Sequence, residues 1–348
     1  MTSREEVKKT PREKREIPVT GDLPDQLLRH LTLRQLQIFE AIARLGSYTK
    51  AAEELFLTQP TVSMQIKKMS DSVGLPLFEK VDRKHRPTEV GEQVYRAARA
   101  MFDVLNDLES SIAEYKGLKR GRVRLGVITT AKYFAPEILG EFCKEYPDID
   151  VSLKVTNRDR VFERINRGED DLYIMGKMQE EPGLVSIPFA PNPVVIIAGK
   201  DHPLTRERNI SIERLAQEPF LLREPGSGIR DITMRTFRER GLSPRVRMEL
   251  GSNEAIKHAV VGGLGIAMLS LHTLALEGAT GPVDILDVEG FPLQRQWYLV
   301  YSKERELSML AQAFLEYIKG KGLEIEGKMN KLLSDFDLIH QERWRSLS

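Results

Sequence analysis

The 348-residue sequence predicts an α/β chain: a small helical domain with a β wing, then one long helix, then a larger α/β region. Three observations predict it. Between Leu31 and Pro87 short helical patterns follow one another closely and end in a basic turn. From Thr88 to Lys116 one apolar stripe runs without a break. From Gly121 to about Lys319 strand-like and helix-like patterns alternate.

Length and composition set the limits. The chain is long enough for two or three domains, and 41% hydrophobic residues suffice for real cores. No run of about 18 apolar residues occurs, so no membrane span is expected. Residues 1–30 are charged and lack an apolar core, so they read as a disordered tail and not as a secretory signal. The single Cys143 excludes a disulfide framework and suits a reducing cytoplasm, the expected location. Beside Ile138, Leu139 and Phe142 it is expected to be a plain buried thiol. The net charge of +1 says little, because charge must be read by domain. Thr32–Pro87 carries nine basic and six acidic residues, a net +3.

The predicted domains are 31–87, then 88–120 with a basic hinge (Leu118-Lys119-Arg120) between Gly117 and Gly121, then 121–320, and a charged tail over 321–348, where Ile325, Met329, Leu332, Leu333, Phe336, Leu338 and Ile339 at rough helical spacing leave room for an extra amphipathic helix. In the first of these, Leu33, Leu36, Phe39 and Ala43 recur at helical spacing, and Gly46 closes the helix. Ser47 caps a second helix whose inner face is Ala51, Ala52 and Leu55. Its outer face offers Thr49 and Lys50. Thr58 caps a third, with Pro60 in the first turn where a missing N–H costs nothing. Val62, Ile66, Met69 and Val73 form its buried stripe.

The opposite face of that third helix carries Gln59, Thr61, Ser63, Gln65, Lys67 and Lys68. Short hydroxyls and amides followed by cations are what a major-groove reader needs, since Gln can make two hydrogen bonds to an adenine edge. Taken alone, the face reads equally well as a solvated surface. The next segment decides between them. Leu75-Pro76-Leu77-Phe78 ends the helix, Glu79-Lys80-Val81 is extended, and Asp82-Arg83-Lys84-His85-Arg86 makes a basic turn. A cationic hairpin beside such a helix is a wing, and Arg83, Lys84 and Arg86 suit phosphates or the adjacent minor groove. The candidate partner is therefore double-stranded DNA, touched by Thr49, Lys50, Thr58, Gln59, Pro60, Thr61, Ser63, Met64, Lys67 and the wing cations.

Along the long helix, Val94, Ala98, Met101, Leu105, Leu108, Ile112 and Tyr115 alternate spacings of four and three. That is a heptad seam, which predicts a homodimer through this helix, the alternative being a helix packed on its own domain. A two-fold protein also matches palindromic half-sites.

These residues resemble the LysR-type transcriptional regulators. Leu33-Arg34-Gln35-Leu36, Phe39, Ala43, Gly46-Ser47, Ala51-Ala52, Leu57-Thr58-Gln59-Pro60, Val62-Ser63, Gly74-Leu75-Pro76-Leu77-Phe78 and Thr88-Glu89-Gly91 follow that family's N-terminal pattern in order. The resemblance continues to about Lys319 and leaves both tails outside. Within the family the chain is most similar to the regulators of Calvin-cycle carbon fixation, the CbbR group. Thr130–Pro136, Phe220–Gly228, Glu249–Lys257 and Gly263–Ala267 carry that likeness. Many family members have Arg after the recognition-helix serine, where this chain has Met64, so a base contact there is in doubt. The resemblance implies a winged helix-turn-helix, a long linker helix, and a periplasmic-binding-protein-type domain of two Rossmann-like lobes with an effector cleft between them. It implies dimers of dimers that bend promoter DNA, an effector that closes the cleft, and RNA polymerase as a further partner.

The residues of the α/β region fit that expectation. Arg122–Ile128, Ile149–Val155 and Asp171–Met175 read as strands separated by helices, which predicts a mostly parallel sheet. Val194–Ala198 starts a second such unit, and Gln296–Tyr301 with Leu307–Lys319 returns to the first. The lobes are thus about 121–192 with 296–320, and about 193–295. Ligands of open α/β sheets sit beyond the carboxyl ends of strands. Three loops are expected there: Thr129-Thr130-Ala131-Lys132, Gly226-Ser227-Gly228 with Arg230, and Gly251-Ser252-Asn253 with Lys257. Each offers N–H groups, a hydroxyl and a cation, the makings of an anion site, although each alone is also an ordinary capped helix. The expected effector is a phosphorylated metabolite or a nucleotide such as NADPH, and no cofactor is expected.

Catalysis finds no support. The six histidines are scattered without ligand spacing, so no metal site is expected. Ser227 lies in Gly226-Ser227-Gly228, which is not a nucleophile elbow, and no phosphate-binding lysine loop occurs. A solute-binding protein is the other alternative, supported by the C-terminal half alone.

Overall fold

The structure, a computed structural model, describes residues 31–82, 84–115, 121–176 and 181–347. The N-terminal tail, Arg83 and the hinge residues 116–120 lie outside the described residues. The chain divides into two compact units, one ending at Ala98 and one starting at Arg99.

The first unit is three short helices and a hairpin. Helix α1 (Leu33–Leu45) starts in a capping box: the Thr32 hydroxyl accepts from the Gln35 N–H, and the Gln35 side chain accepts from the Thr32 N–H. Such a cap contributes about 1 kcal/mol. Gly46 ends the helix at φ 66°, a left-handed conformation that glycine adopts without penalty. Helix α2 (Tyr48–Glu54) is capped by Ser47, and its buried face is Ala51 and Ala52. These two methyl groups let helix α3 (Gln59–Val73) approach closely, capped by Thr58 with a proline in its first turn. Phe39, Ile42, Val62, Ile66, Met69 and Leu77 complete the core. Strands β1 (Phe78–Val81) and β2 (Lys84–Pro87) pair antiparallel. The sequence places Lys84–Arg86 in the wing's turn, whereas they lie in strand β2 and the hairpin turns at Asp82, at φ 47°. The wing is held by the His85 N–H donating to the Gly46 carbonyl at 3.0 Å and by Tyr48 packed on His85.

Helix α4 (Glu89–Tyr115) is one continuous helix of 27 residues. Its Tyr95 and Ala98 are buried. Ala98 is therefore part of the packed face and not of a free seam. Met101, Leu105, Leu108 and Ile112 remain exposed at spacings of four and three.

The second unit holds two mixed five-stranded sheets. The first contains β3 (Gly121–Ile128), β4 (Ile149–Thr156), β5 (Leu172–Met175), β6 (Leu184–Pro191) and β12 (Gln296–Ser302), in the order β4-β3-β5-β12-β6. The second contains β7 (Val194–Gly199), β8 (Pro219–Arg223), β9 (Arg245–Leu250), β10 (Ile266–Ser270) and β11 (Val283–Ile285), in the order β11-β7-β10-β8-β9. Helices α5 (Ala135–Glu145), α6 (Arg158–Asn166) and α10 (Met309–Gly320) pack on the first. The short α7 (Ile212–Leu215), α8 (Gly228–Arg238) and α9 (Asn253–Val261) belong with the second. The expected parallel rhythm holds for β4-β3-β5 and β9-β8-β10. The strands that enter from or return to the other lobe, β7 and β12, run antiparallel to their neighbours. A chain that crosses between lobes must arrive from the opposite end, which makes each sheet mixed. Cys143 is half-buried and unpaired.

Two charge clusters lie inside this unit. Arg124 donates to Asp171 at 2.7 Å and to Asp103 at 2.5 Å, and Arg305 reaches Asp171 at 2.7 Å. Burial alone raises the Asp171 carboxyl, but Arg124 and Arg305 outweigh it and hold the group below the usual carboxylate range. Asp284 behaves likewise: its burial is outweighed by His340 and Arg343. A depressed folded pKa stabilises the fold above the unfolded value, near 4, and that stability is lost as pH falls through the lower folded value. Acid titration of the melting temperature is therefore expected to show a plateau above about pH 5 and a decline below about pH 4. Asp171→Asn is expected to flatten that decline.

The charged tail forms helix α11 (Gly322–Leu347), the extra amphipathic helix that its apolar spacing allows, and its Ile325, Met329, Leu332 and Phe336 are buried. Its apolar residues at helical spacing needed a surface to cover, and only the fold supplies one. Among the described residues no helix is long and apolar enough to cross a membrane.

Candidate nucleic-acid face and effector cleft

On α3 the residues Gln59, Ser63 and Lys67 stand four apart, hence on one helix face. Gln59 and Lys67 are exposed and Ser63 is half-buried, while Val62, Ile66 and Met69 hold the other side in the core. A surface groove runs between this face and the wing, lined by Thr49, Gln59, Ser63, Lys67, Phe78 and His85 among others. Gln59 donates to the Ser63 hydroxyl at 3.0 Å, and Thr58 and Thr61 share a hydroxyl contact of 2.8 Å. All four groups can exchange these weak mutual bonds for bonds to base edges or phosphates. Lys50, Pro60 and Met64 are exposed, Met64 at 48%. Lys84 and Arg86 alternate outward along β2, so both cations leave one face of the wing. Arg83, the remaining wing residue singled out by the sequence, lies outside the described residues. Gln35 donates to Gln65 at 3.2 Å and holds α1 to α3, so Gln65 serves the helix pair and not the groove.

The second unit has a cleft of about 670 Å³ between its lobes, lined by the carboxyl ends of β3 and β5, the start of α8 and the crossing segment 293–295. Of the predicted effector residues, Thr129, Thr130, Ser227 and Gly228 line it. Gly226 shapes its edge: at φ 83°, an added Cβ would lie 2.7 Å from Asp159 Oδ2. Ala131 is buried at the start of a helical turn.

Other predicted residues point elsewhere, each for a visible reason. Lys257 is buried, donates to the Thr273 carbonyl at 2.9 Å and pairs with Glu254 and Glu277. Arg230 donates to the Arg223 carbonyl at 2.8 Å and pairs with Glu249 at 2.7 Å. Lys132 lies over the Tyr133 ring, and Ser252 caps α9. Asn253 is buried, accepts from Arg223 and donates toward Thr130 at 3.5 Å. The sequence supplies these cations and hydroxyls, but their partners come from other segments and cannot be seen in the loop itself.

The cations that do line the cleft are Arg158, Arg235 and Arg295. Arg158 pairs with Asp231 at 3.0 Å and Arg235 lies 3.8 Å from Glu239. Arg295 pairs with no carboxylate among the described residues. Its burial, then Arg235, then Arg158 lower its pKa, so the folded chain holds a guanidinium with unmet charge against the cavity. Arg223 is 1% exposed, pairs with Glu224 at 2.7 Å and donates to the Thr129 hydroxyl at 3.2 Å. With that lone pair occupied, the Thr129 hydroxyl is free to donate its proton into the cleft. The reading from sequence missed all four arginines. Arg158 follows the cap Asn157 at the end of β4, a signal of the kind used for the other loops. Arg295 lies on a crossing segment that periodicity does not mark.

The arrangement gathers the guanidinium groups of Arg158, Arg235 and Arg295 and the hydroxyls of Thr129, Thr130 and Ser227 around one cavity, a setting suited to an anion. The described groups that could gather a cation are Glu137, Glu141 and Glu324, away from the cleft, and two of them already pair with Lys321.

The chain matches two family models: the bacterial regulatory helix-turn-helix protein, lysR family, over residues 33–92, and the LysR substrate binding domain over residues 116–322. It is 50% identical over 291 residues to the HTH-type transcriptional activator CmpR of Synechocystis sp., covering 84% of this chain and 96% of the relative. It is 45% identical over 291 residues to the RuBisCO operon transcriptional regulator of Acidithiobacillus ferrooxidans, covering 84% and 94%. Among solved structures, the regulatory domain of Synechocystis CcmR in complex with 2-PG is 49% identical, with a TM-score of 0.56, over 58% of this chain and 97% of that domain.

Proposed function

Because the chain belongs to the LysR family of DNA-binding transcriptional regulators, we propose that it controls carbon-fixation or related inorganic-carbon genes in answer to a small phosphorylated metabolite held in the interlobe cleft. The observation that carries the effector class is Arg295, unpaired among the described residues, facing the same cavity as Arg158, Arg235 and the hydroxyls of Thr129, Thr130 and Ser227. An anion of two or more charges neutralises that cluster and accepts from those hydroxyls. 2-Phosphoglycolate leads the candidates, because a relative's domain is seen with 2-PG. Calorimetry with 2-phosphoglycolate, ribulose bisphosphate, phosphoenolpyruvate and NADPH tests this. Binding by at least one of them is expected, and no binding by any at millimolar concentration would end the proposal.

The DNA-facing roles are also proposals. Gln59, Ser63 and Thr61 read base edges, while Thr49, Lys50, Lys67, Lys84 and Arg86 hold phosphates. Met64 touches a thymine methyl where a base-pairing arginine is common. The double substitution Lys84→Ala with Arg86→Ala is expected to weaken binding to target and scrambled duplexes alike. The slope of log affinity against log salt should fall by about one for each phosphate that is no longer neutralised. A weakening confined to the target duplex would reassign the wing to sequence reading.

Met101, Leu105, Leu108 and Ile112 supply the dimer seam, and two dimers bind together across bent promoter DNA. The protein acts in the cytoplasm and catalyses no reaction.

A further inference from the structure

The family model for the regulatory domain ends at residue 322, where helix α11 begins. The helix nevertheless packs on both lobes. Its first half belongs to the lobe of β3. Ile325 joins that lobe's core, Lys321 pairs with Glu141, and Lys328 pairs with Glu137 at 2.8 Å. Gly322 lies so close to the Phe189 carbonyl that no Cβ would fit. The second half belongs to the lobe of β7. Met329, Leu332 and Phe336 are part of that core, with Leu333 and Ile339 against it. His340 Nε2 lies 2.8 Å from Asp284 Oδ1, Arg343 pairs with the same carboxylate, and Arg343 donates to the Thr205 carbonyl at 3.1 Å.

We propose that α11 is a rigid brace that holds the two lobes at one angle, so that the cleft is preformed and does not hinge shut around its ligand.

The mechanics follow from the connections. Apart from α11 itself, two short segments, Pro191–Val194 and Leu293–Gln296, are the described chain crossings between the sheets. Such segments bend at little cost, and domains so joined move relative to one another unless something else ties them. A straight helix of 26 residues spans roughly 39 Å and does not bend without a break in its hydrogen bonds. Anchored by buried side chains at both ends, it turns the pair of lobes into one body. Side-chain bonds at the crossing act in the same sense. Ser270 donates to Asn192 at 2.7 Å, and the Trp297 indole N–H donates to His272 at 3.0 Å. The brace lies outside the effector cleft, since no residue of α11 lines it. A braced cleft departs from the expected mechanism, in which an effector closes the cleft. Here the effector fills a ready cavity, and its signal leaves through side chains and loops.

The test uses the full chain carrying Cys143→Ser, with spin labels at Lys144→Cys in one lobe and Arg238→Cys in the other, both exposed positions. Labelled chain is diluted with an excess of unlabelled Cys143→Ser chain so that label pairs within one chain dominate, and double electron–electron resonance then reads the distance between lobes. The expected result is a single narrow peak that stays in place when 2-phosphoglycolate is added. Lys331→Pro breaks the helix between its two anchored halves at an exposed residue. It is expected to broaden the peak. Asn330→Gly with Lys331→Gly is the milder version should the proline variant fail to fold. A broad peak in the unbroken chain, or a peak equally narrow in the broken one, would overturn the proposal. The comparison of widths needs no ligand, so failure of the effector assignment would leave this result readable on its own.

Discussion

Arg295→Gln is expected to remove the effector response while leaving the fold and DNA binding in place. The guanidinium faces the cleft, is partly desolvated, lies near Arg158 and Arg235, and pairs with no carboxylate among the described residues. A charge in that position is unfavourable in the free domain and becomes favourable when an anion arrives. Removing one member of a desolvated charge pair costs about 2–5 kcal/mol, roughly thirty- to several-thousand-fold in affinity. Two readouts separate this role from a structural one. Calorimetry with 2-phosphoglycolate should show the weaker binding, and the melting temperature of the ligand-free protein should hold or rise, because a repulsive charge has been removed. A fall in melting temperature with affinity retained would make Arg295 a structural residue and move the anion elsewhere.

Gln59→Ala is expected to erase much of the preference for the target sequence and little of the general attraction to DNA. Gln59 is exposed, on the face of α3 shared with Ser63 and Lys67 and away from the buried Val62, Ile66 and Met69. Within the chain its amide donates to the Ser63 hydroxyl on the same exposed face, so the substitution leaves the core untouched. A good two-bond contact to an adenine discriminates by about 1–3 kcal/mol, roughly five- to 150-fold. Competition between target and single-base-substituted duplexes at fixed salt measures it. An equal weakening on every duplex would place Gln59 on the phosphates.

The N-terminal unit was legible because its signals are local. Caps at Ser47 and Thr58, the left-handed Gly46, and the stripe Val62–Ile66–Met69 each declare themselves within one or two turns, and the structure has each of them, while Val73, expected in the same stripe, is only half-buried. The lobes were legible in outline for the same reason, through the spacing of strands and helices. What stayed hidden depends on distant partners. Nothing near Lys257 reveals that Glu277 will neutralise it, or that the Thr273 carbonyl will accept from it. Arg295 stands out only once the crossing segment is placed against α6 and α8. The apolar spacing of α11 was visible, but the two lobes that bury it lie far away in sequence. The dimer seam is a mixed case: its period is plain, yet Ala98 proved to pack within the chain.

The most direct measurement of the central claim is a salt titration of the full chain on two duplexes of equal length and composition, one from its own upstream region and one scrambled. Specific reading by α3 requires the upstream duplex to bind at least about a thousandfold tighter, with the gap kept while both affinities fall as salt rises. Equal, weak and equally salt-sensitive binding to both would mean that the chain attracts DNA only as a polyanion, and the assignment of α3 as a sequence reader would fall.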